Sequence, residues 1–596
     1  MKRSTFNVTV AVGFLAVALG ILVARANPAT SYEPSIYAGT PLITWFGFAL
    51  GLAIAVATAL TCRGREQAFG IALGGMTVTS IISLPVIRNY HFAGMGDALT
   101  HLGWTRDIIA SEMAPHQLFY PAIHTIATVF HYVGGVPIER GLLFGMVVLF
   151  VPFLIFIPLT VREITGTDAA VGLAAIVSWM VLPINNVATH MGIHTNSNAL
   201  FMVPVVIFAA IAYLRRRATI ERLPFGLSPF SALIYLTGIG LLLVHPQQMV
   251  NVVILIGAIS VVQYFARRQF SDHPVLDHPT MYAHTVVLGG LFAIWAVSNE
   301  RFRDALTGLV VGVLTEDIGG GAEVDQRGTS LTEIGGSLGE LFVKMFLAAT
   351  VVGLIVGVFL LLVWLGRSRL DSETRPFVNY LSFGLVPLTG MFVLYFVGTP
   401  TMAFRQVGFI YVVLTILAGI ALAYGFGGLS NLVSRPASNT VAGVLLGTCL
   451  VLGLMTVFAS PIIYSPTQHV TNEQMSGYET ALTHGDVDRP LVGMGYDPFR
   501  FDHGIKGVEG EDSPTAARTA SGTIDEEAFG SGEYDRAYHD VSYYFAVTNF
   551  DRVREFQVYE ELNYDRESLE ELETYDGADK VVSNDEFQLY DVEGAE

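Results

Sequence analysis

Lysine is almost missing from this chain. Only Lys2, Lys344, Lys506 and Lys580 occur in 596 residues, and arginine supplies the rest of the positive charge. Cysteine is scarcer still, at Cys62 and Cys449, which excludes a disulfide framework and a thiolate metal site. Charged residues make up only 14% against 52% hydrophobic, and the mean hydropathy is +0.51, too apolar for a water-soluble enzyme of this length. With a formal net charge of -19, no nucleic-acid partner is expected.

The charge that is present lies unevenly. Beyond Pro461, about 31 Asp and Glu face about 9 Lys and Arg, so the last segment carries roughly -22 while the remainder is slightly basic. The chain therefore reads as two regions: residues 1–460 for lipid, and 461–596 as an acidic, water-soluble tail. Dense carboxylates with so little lysine suit a protein kept hydrated in high salt, as in a halophile; an ordinary acidic tail is the plain alternative. The stretch Val541–Val547 is aromatic and β-branched. The tail is thus expected to fold as a small α/β unit, with strands near 541–548, 580–584 and 586–592.

A bilayer core about 30 Å thick takes roughly 20 apolar residues per helix. Windows of that kind fall near 7–25, 41–61, 67–87, 141–160, 169–186, 198–213, 229–244, 248–265, 280–297, 341–366, 376–397, 405–424 and 440–460. The expected fold class is an all-α polytopic membrane domain of about 13 helices with the tail appended. Lys2 and Arg3, Arg63 and Arg65, Arg162, Arg215 to Arg217, Arg267 and Arg268, Arg367 and Arg369, and Arg435 all fall on one side of this count, which positive-inside bias makes the cytoplasm. The tail then lies outside. Residues 118–135 are apolar enough to suggest a further crossing, but that crossing would reverse every later basic loop, and His124 and His131 suit a helix lying on the surface. The first window ends in Ala24-Arg25-Ala26, which resembles a signal-peptidase step, although an uncleaved anchor fits its long apolar run.

Polar chemistry collects on the outer side. Eight of the fifteen histidines, His91, His101, His116, His124, His131, His190, His194 and His245, fall there before residue 250. The loop from Arg88 to Arg140 parses as a coil, a helix over 98–113, a turn at Pro115 and a second helix from Pro121. Asp97 and His101 are four residues apart, so a carboxylate and an imidazole on one helix face suit general-base work on a hydroxyl; equally, Asp97 after Gly96 reads as a helix cap. Tyr120, His124 and His131 share a face on the second helix. His190 and His194 have metal-ligand spacing without a third ligand, so no cofactor is implied, with a divalent metal left open. In His245-Pro246-Gln247-Gln248 a proline ends one helix, and the amides suit a hydroxylated ligand, or the turn merely connects two spans. Arg405 stands at the outer mouth of a span, where positive charge is disfavoured. A phosphate held bidentately, or a neighbouring carboxylate, would account for it. The 298–340 loop, with Leu306 to Leu314 followed by the Gly319–Gly321 run, reads as a flap over a cavity rather than a nucleotide loop.

The segments GDALTHLGWTRDI, FYPAIH, VHPQQ and KVVSNDEFQLYDV resemble the glycosyltransferase C superfamily, and within it haloarchaeal membrane enzymes that use polyprenyl-phosphate sugars. The resemblance covers most of the chain. It implies two surface-lying helices in the first large outer loop, a later gating loop, and Asp97 as the base that deprotonates the acceptor while the sugar leaves its lipid phosphate with inversion. His101 would act beside Asp97; Arg405 would hold the donor phosphate; Tyr120, His124, His190, His194, His245 and Gln247 would contact substrate. The loop follows the third window rather than the first, leaving two extra N-terminal helices, and the tail has no WWD-type motif. Together these imply transfer of a single sugar, such as mannose, from a polyprenyl or dolichyl phosphate to a lipid-linked or protein-linked glycan of the envelope. A multi-span transporter or flippase, or an envelope scaffold, is the rival reading; the scarcity of ionisable residues within the windows argues against a path across the membrane.

Overall fold

The computed structural model describes residues 3–216, 220–314, 336–368, 370–398, 400–495, 498–509 and 519–595. A backbone in lipid has no water to bond, so each spanning segment must satisfy its own N–H and C=O groups, and the apolar windows accordingly form helices. Helices α1 (Arg3–Ala26), α2 (Leu42–Thr61) and α3 (Gly64–Ile82) come first. Strand β1 (Phe92–Ala93) and helices α4 (Asp97–Ala110) and α5 (Ala122–Gly134) follow in the loop after them. The chain then runs through α6 (Ile138–Thr165), α7 (Asp168–Ser178), α8 (Thr195–Arg216), α9 (Pro229–Val244), α10 (Pro246–Gln269), α11 (Tyr282–Ser298) and α12 (Glu300–Leu314). Helices α13 (Leu338–Met345), α14 (Leu347–Trp364), α15 (Arg375–Gly398), α16 (Pro400–Leu432) and α17 (Arg435–Met455) complete the bundle.

Among the described residues, nine of these are long and apolar enough to cross a membrane, namely α1, α2, α6, α8, α10 and α14 to α17. The pair α11 and α12, bent by 95° at Asn299, passes together as a tenth. Among the described residues, three expected windows fall below the length or hydropathy of a full spanning helix. The 67–87 window lies on α3, whose first turn carries Arg65 and Glu66; the 229–244 window is α9, of 16 residues. The 169–186 window stops at Ser178, because Val181 (φ 57) and Leu182 (φ 51) take left-handed backbone that bulky side chains rarely adopt. The segment 118–135 is α5, whose 13 residues reach only about 20 Å at 1.5 Å each, short of a crossing. The expected flap begins as α12, turned sharply out of line with α11; Gly319–Gly321 and the rest of 315–335 lie outside the described residues.

The tail contributes β2 (His469–Val470), α18 (Asn472–His484), β3 (Leu491–Gly493), α19 (Pro498–Lys506), β4 (Thr519–Thr523), β5 (Tyr543–Thr548), β6 (Ala578–Ser583) and β7 (Phe587–Val592). The last three occupy the places that alternation suggests; β3 and β4, of three and five residues, are too short for a pattern to reveal. The sheet order is β4-β3-β5-β7-β6, with β3 parallel to both neighbours and the other pairs antiparallel. One face of this sheet has its own core, including Phe529, Tyr534, Phe545 and Tyr564, whereas Tyr478, Phe501, Ala546 and Phe587 join the core of the bundle. Tail and bundle are therefore packed together. Tyr32 donates from its backbone N to Glu586 Oε1 at 2.7 Å and from its hydroxyl to the Thr467 carbonyl at 2.9 Å, and β1 pairs antiparallel with β2.

Helix α4 lies against α19, and Gly103 is where the two backbones meet: a Cβ there would stand 2.3 Å from the His503 carbonyl oxygen. Neither backbone has a flexible end to move. Gly103→Ala is expected to cost about 1–3 kcal/mol through overpacking, read as a lower thermal midpoint of the purified protein. An unchanged midpoint would show that the two helices do not depend on this approach.

Candidate functional site

The site forms at the end of the bundle that bears the tail, and begins with the way α4 starts. Gly94 (φ 130) donates its N–H to the Gln468 carbonyl at 2.8 Å, and Gly96 (φ 59) caps the helix without a side-chain bond. That positive φ is glycine's backbone, not the extended conformation a capping side chain needs. Asp97 is therefore the first helical residue and not the cap, which removes the bland reading of its carboxylate. Its side chain is 71% exposed, and its Oδ1 pairs with Arg500 of α19 at 2.8 Å. Arg500 also donates to Thr100 Oγ1 at 2.7 Å, so the guanidinium spans the first turn of α4.

His101 turns the other way. It is 4% exposed, and its Nδ1 lies 3.0 Å from His124 Nε2 on α5, one ring donating and the other accepting. Burial pushes His101 down to about 4 and His124 well below the ordinary imidazole value, so both are neutral at neutral pH. Trp104 packs against both rings, with centroids 5.4 and 5.9 Å away. The expectation that Asp97 and His101 point together at an acceptor is corrected accordingly: Asp97 faces out, while His101 joins α4 to α5. His131 also leaves the shared face, with Nδ1 3.0 Å from the Val136 carbonyl.

Tyr120 links the loop to the bundle. Its ring stacks on His245 with centroids 5.4 Å apart and 25° between planes. His245 caps α10 in extended backbone (φ -165), a position that Pro246 at the first helical residue favours. Burial pushes His245 down to about 3, with the Arg405 charge adding to the effect. His245 Nδ1, His124 Nδ1, Gln247 Nε2 and Asn196 Nδ2 are buried without hydrogen-bond partners among the described residues. Beside them, Gln248 donates to Asn196 Oδ1 at 2.5 Å and accepts from Asn251 at 3.2 Å. A buried amide or imidazole costs roughly 1–3 kcal/mol if left unpaired, so this group suits a hydroxylated or anionic ligand.

His190 and His194 lie on the non-helical segment leading into α8, not on one helix face, with rings 4.7 Å apart. Ser197 donates its N–H to His194 Nδ1 at 3.3 Å. Burial pushes His190 down to about 4 and His194 well below the usual range, with Arg405 contributing to both. Among the described residues no group of three or more His, Cys, Asp or Glu is arranged to hold a metal ion. Arg405 sits in the first turns of α16, half-buried, with one hydrogen bond among the described residues, to Met402 Sδ at 3.5 Å. It has no carboxylate partner among the described residues, which removes the simpler account of its charge. Its field reaches Tyr120, His190, His194 and His245, so these residues, scattered over 285 positions from Tyr120 to Arg405, gather around one guanidinium.

Sequence reasoning missed four members. Arg301 of α12 bears on His101 and Tyr120 electrostatically, and the inside rule that flagged Arg405 would have flagged it as well. Trp104, Asn196 and Arg500 carry no such signal.

No family model matches the chain, and no curated protein matches it. Among solved structures, the chain is similar to ArnT from Cupriavidus metallidurans bound to undecaprenyl phosphate, at 12% identity and a TM-score of 0.45, covering 89% of this chain and 98% of that one. The apo state of the same protein gives 11% and 0.46, covering 88% and 98%. The archaeal oligosaccharyltransferase AglB from Archaeoglobus fulgidus, in complex with an inhibitory peptide and a dolichol-phosphate, gives 12% and 0.46, covering 81% of this chain and 70% of that one.

The buried imidazoles make stability depend on pH with a definite sign. In the unfolded chain they take up protons near 6.5, but in the fold His101 and His190 do so only near 4 and His245 near 3. Protonation therefore favours unfolding: their contribution is fully present above about pH 6.5 and is lost as pH falls towards 4. The thermal midpoint is expected to drop by several degrees from pH 7.5 to 5, and His245→Gln to flatten that slope. A midpoint constant over this range would mean that these rings are not buried uncharged.

Proposed function

We propose that this chain is a membrane glycosyltransferase that moves a single sugar from a polyprenyl or dolichyl phosphate to a lipid-linked or protein-linked glycan, in the envelope of a halophilic archaeon. The observation that carries the reading is Arg405: a half-buried guanidinium without a carboxylate partner among the described residues, set among neutral imidazoles and unpaired amides. Arg405 and Arg301 both reach the cluster, and the one carboxylate whose field also does so, Asp97, is paired with Arg500, so the balance of charge suits an anion, and a guanidinium matches phosphate bidentately. At a helix end in a bundle of apolar helices, that anion is the phosphate of a lipid.

In the transfer itself, the acceptor hydroxyl gives its proton to the Asp97 carboxylate. Its oxygen then bonds the anomeric carbon from the face opposite the phosphate. The carbon–oxygen bond to the phosphate breaks, and the phosphate leaves with the electron pair, its charge met by Arg405. Asp97 is exposed and fixed by Arg500, which suits a base that must meet an acceptor arriving from water. His101 and His124 hold α4 and α5 in register behind it, as positioning residues. Tyr120, His190, His194, His245 and Gln247 supply donors and acceptors for the sugar. Positive-inside bias puts this end, with the tail, on the extracytoplasmic face of the cell membrane. The reading requires no metal.

Asp97→Asn is expected to lower transfer of labelled sugar from polyprenyl phosphate to endogenous glycan by about 10²–10⁴ at unchanged protein level, as loss of a general base does. Arg405→Gln should lower kcat by about 10²–10³ and Arg405→Lys by less. Transfer that survives both Asp97→Asn and Arg405→Gln would overturn the assignment.

A further inference from the structure

Three cavities away from Arg405 share residues end to end. The first, about 620 Å³, is a groove between α3 and α6 lined by Ala72, Gly75 and Thr79 on one side and Val151, Leu154 and Pro158 on the other. Ala68, Ala72 and Ile155 on its rim are exposed on the outside of the bundle, so the groove faces lipid. Ile87 also lines the second cavity, about 440 Å³, with Ile21, Arg25, Val136, Arg140 and Phe144. Pro137 and Arg140 continue into the third, about 530 Å³, which is polar: Ser31, Asn89, His91, Glu139, Asn472 and Glu473 line it. The cleft thus grades from hydrocarbon, through two guanidiniums, to a chamber with both donors and acceptors.

The two arginines differ from their neighbour. Arg88 is buried and paired with Glu33. Arg140 donates to Asn89 Oδ1 and has no carboxylate partner among the described residues, and Arg25, exposed at the end of α1, has no polar partner there at all. Both stand at the tail-bearing end, where basic residues are disfavoured unless an anion meets them. A guanidinium pair at the rim of an apolar groove is the complement of one phosphate on a hydrocarbon chain. The Asn, Ser and Glu side chains beyond it complement hydroxyl groups rather than a second charge.

We infer that this cleft is a second lipid seat, separate from the Arg405 site: it holds an anionic lipid with its chain in the α3–α6 groove, its phosphate between Arg25 and Arg140, and a hydroxylated headgroup in the polar chamber. The seat does not depend on the transfer reading. It also gives α1, one of the two helices in excess of the resemblance, a task.

The full-length protein, reconstituted in vesicles of equal phosphatidylglycerol and phosphatidylcholine and then washed in detergent, is examined by native mass spectrometry for retained lipid. Wild type is expected to keep phosphatidylglycerol over phosphatidylcholine at least tenfold and, in parallel vesicles with phosphatidic acid in place of phosphatidylglycerol, to keep phosphatidic acid, which lacks the headgroup glycerol, less well. The double variant Arg25→Gln, Arg140→Gln should retain the two lipids equally. Arg25→Gln alone, an exposed and unpaired side chain whose loss leaves folding untouched, should lose at least threefold, while Arg405→Gln should keep the full preference. No preference in wild type, a preference that survives the double variant, or one lost with Arg405→Gln instead, would overturn the seat; equal retention of phosphatidic acid would remove the headgroup chamber from it.

Discussion

Helix α4 has 14 residues, a length at which an isolated helix is marginal in water, and it carries the one exposed carboxylate on which the proposed chemistry turns. Its position is set from the tail. Arg106 donates to the Gly504 carbonyl at 2.6 Å, the Asp107 carboxylate accepts from the backbone N–H groups of Val508 at 2.9 Å and Glu509 at 3.1 Å, and Arg500 crosses to Asp97. Before the helix, β1 is paired to β2; after it, Arg106 reaches Glu139 at the start of α6 at 2.7 Å. A segment held at both ends and along one side has little freedom left, and pre-orientation of a reacting group is among the larger contributions to a transfer reaction. The acidic tail is therefore part of the site's frame, not an appendage that merely solubilises it.

The electrostatics of the site follow from which groups stay neutral. Five imidazoles converge, but burial disfavours their charged forms, so they act as dipoles with one donor and one acceptor each. The positive field then comes from Arg405, with Arg301 at the rim, while the Asp97 carboxylate that also reaches His101 and Tyr120 is paired with Arg500. A cationic imidazole cluster would bind phosphate more tightly before and after transfer alike, which lowers KM without raising kcat. In the proposed transfer, one guanidinium among neutral rings would follow charge as it grows on the leaving phosphate. High salt acts unevenly on these groups: it screens the exposed Arg500–Asp97 pair, but reaches the half-buried Arg405 less.

Much of this was legible because hydropathy and charge are local. Apolar runs report helices wherever they occur, and the bias of arginine to one side of them separates the loops that carry Asp97, Tyr120, His124, His245 and Arg405 from those that do not. What the sequence withholds is which way a side chain turns once two elements meet. Asp97 and His101 share spacing, yet one faces water and the other is bonded to His124, because α5 covers only the inner side of α4. Arg500 lies about 400 residues from Thr100, which accepts its hydrogen bond, and nothing in a one-dimensional pattern joins them. Of the polar pairs that sequence spacing did suggest, His131 is turned from His124 to the Val136 carbonyl, whereas His190 and His194 do meet, though on irregular backbone that hydropathy does not record.

The break after α7 shows why that geometry is worth its cost. Val181 and Leu182 are buried in left-handed backbone, a conformation that costs a bulky residue of order 1–3 kcal/mol and survives only where its surroundings determine it. The surroundings are polar clamps: Asn185 donates to the Gly453 carbonyl at 3.3 Å and Asn186 to that of Thr456 at 2.7 Å, both at the end of α17. Without the break, α7 would run on as a straight helix and carry His190 and His194 along its axis. With it, the chain turns within its own backbone bonds, as from Asn186 N–H to the Thr189 carbonyl, its side-chain amides satisfy carbonyls at the end of α17, and both histidines arrive beside the N-terminus of α8, where the Arg405 field reaches them. Irregular backbone is tolerated at such depth only against protein or a water-filled cavity, so the position of the strain and the position of the site have one cause.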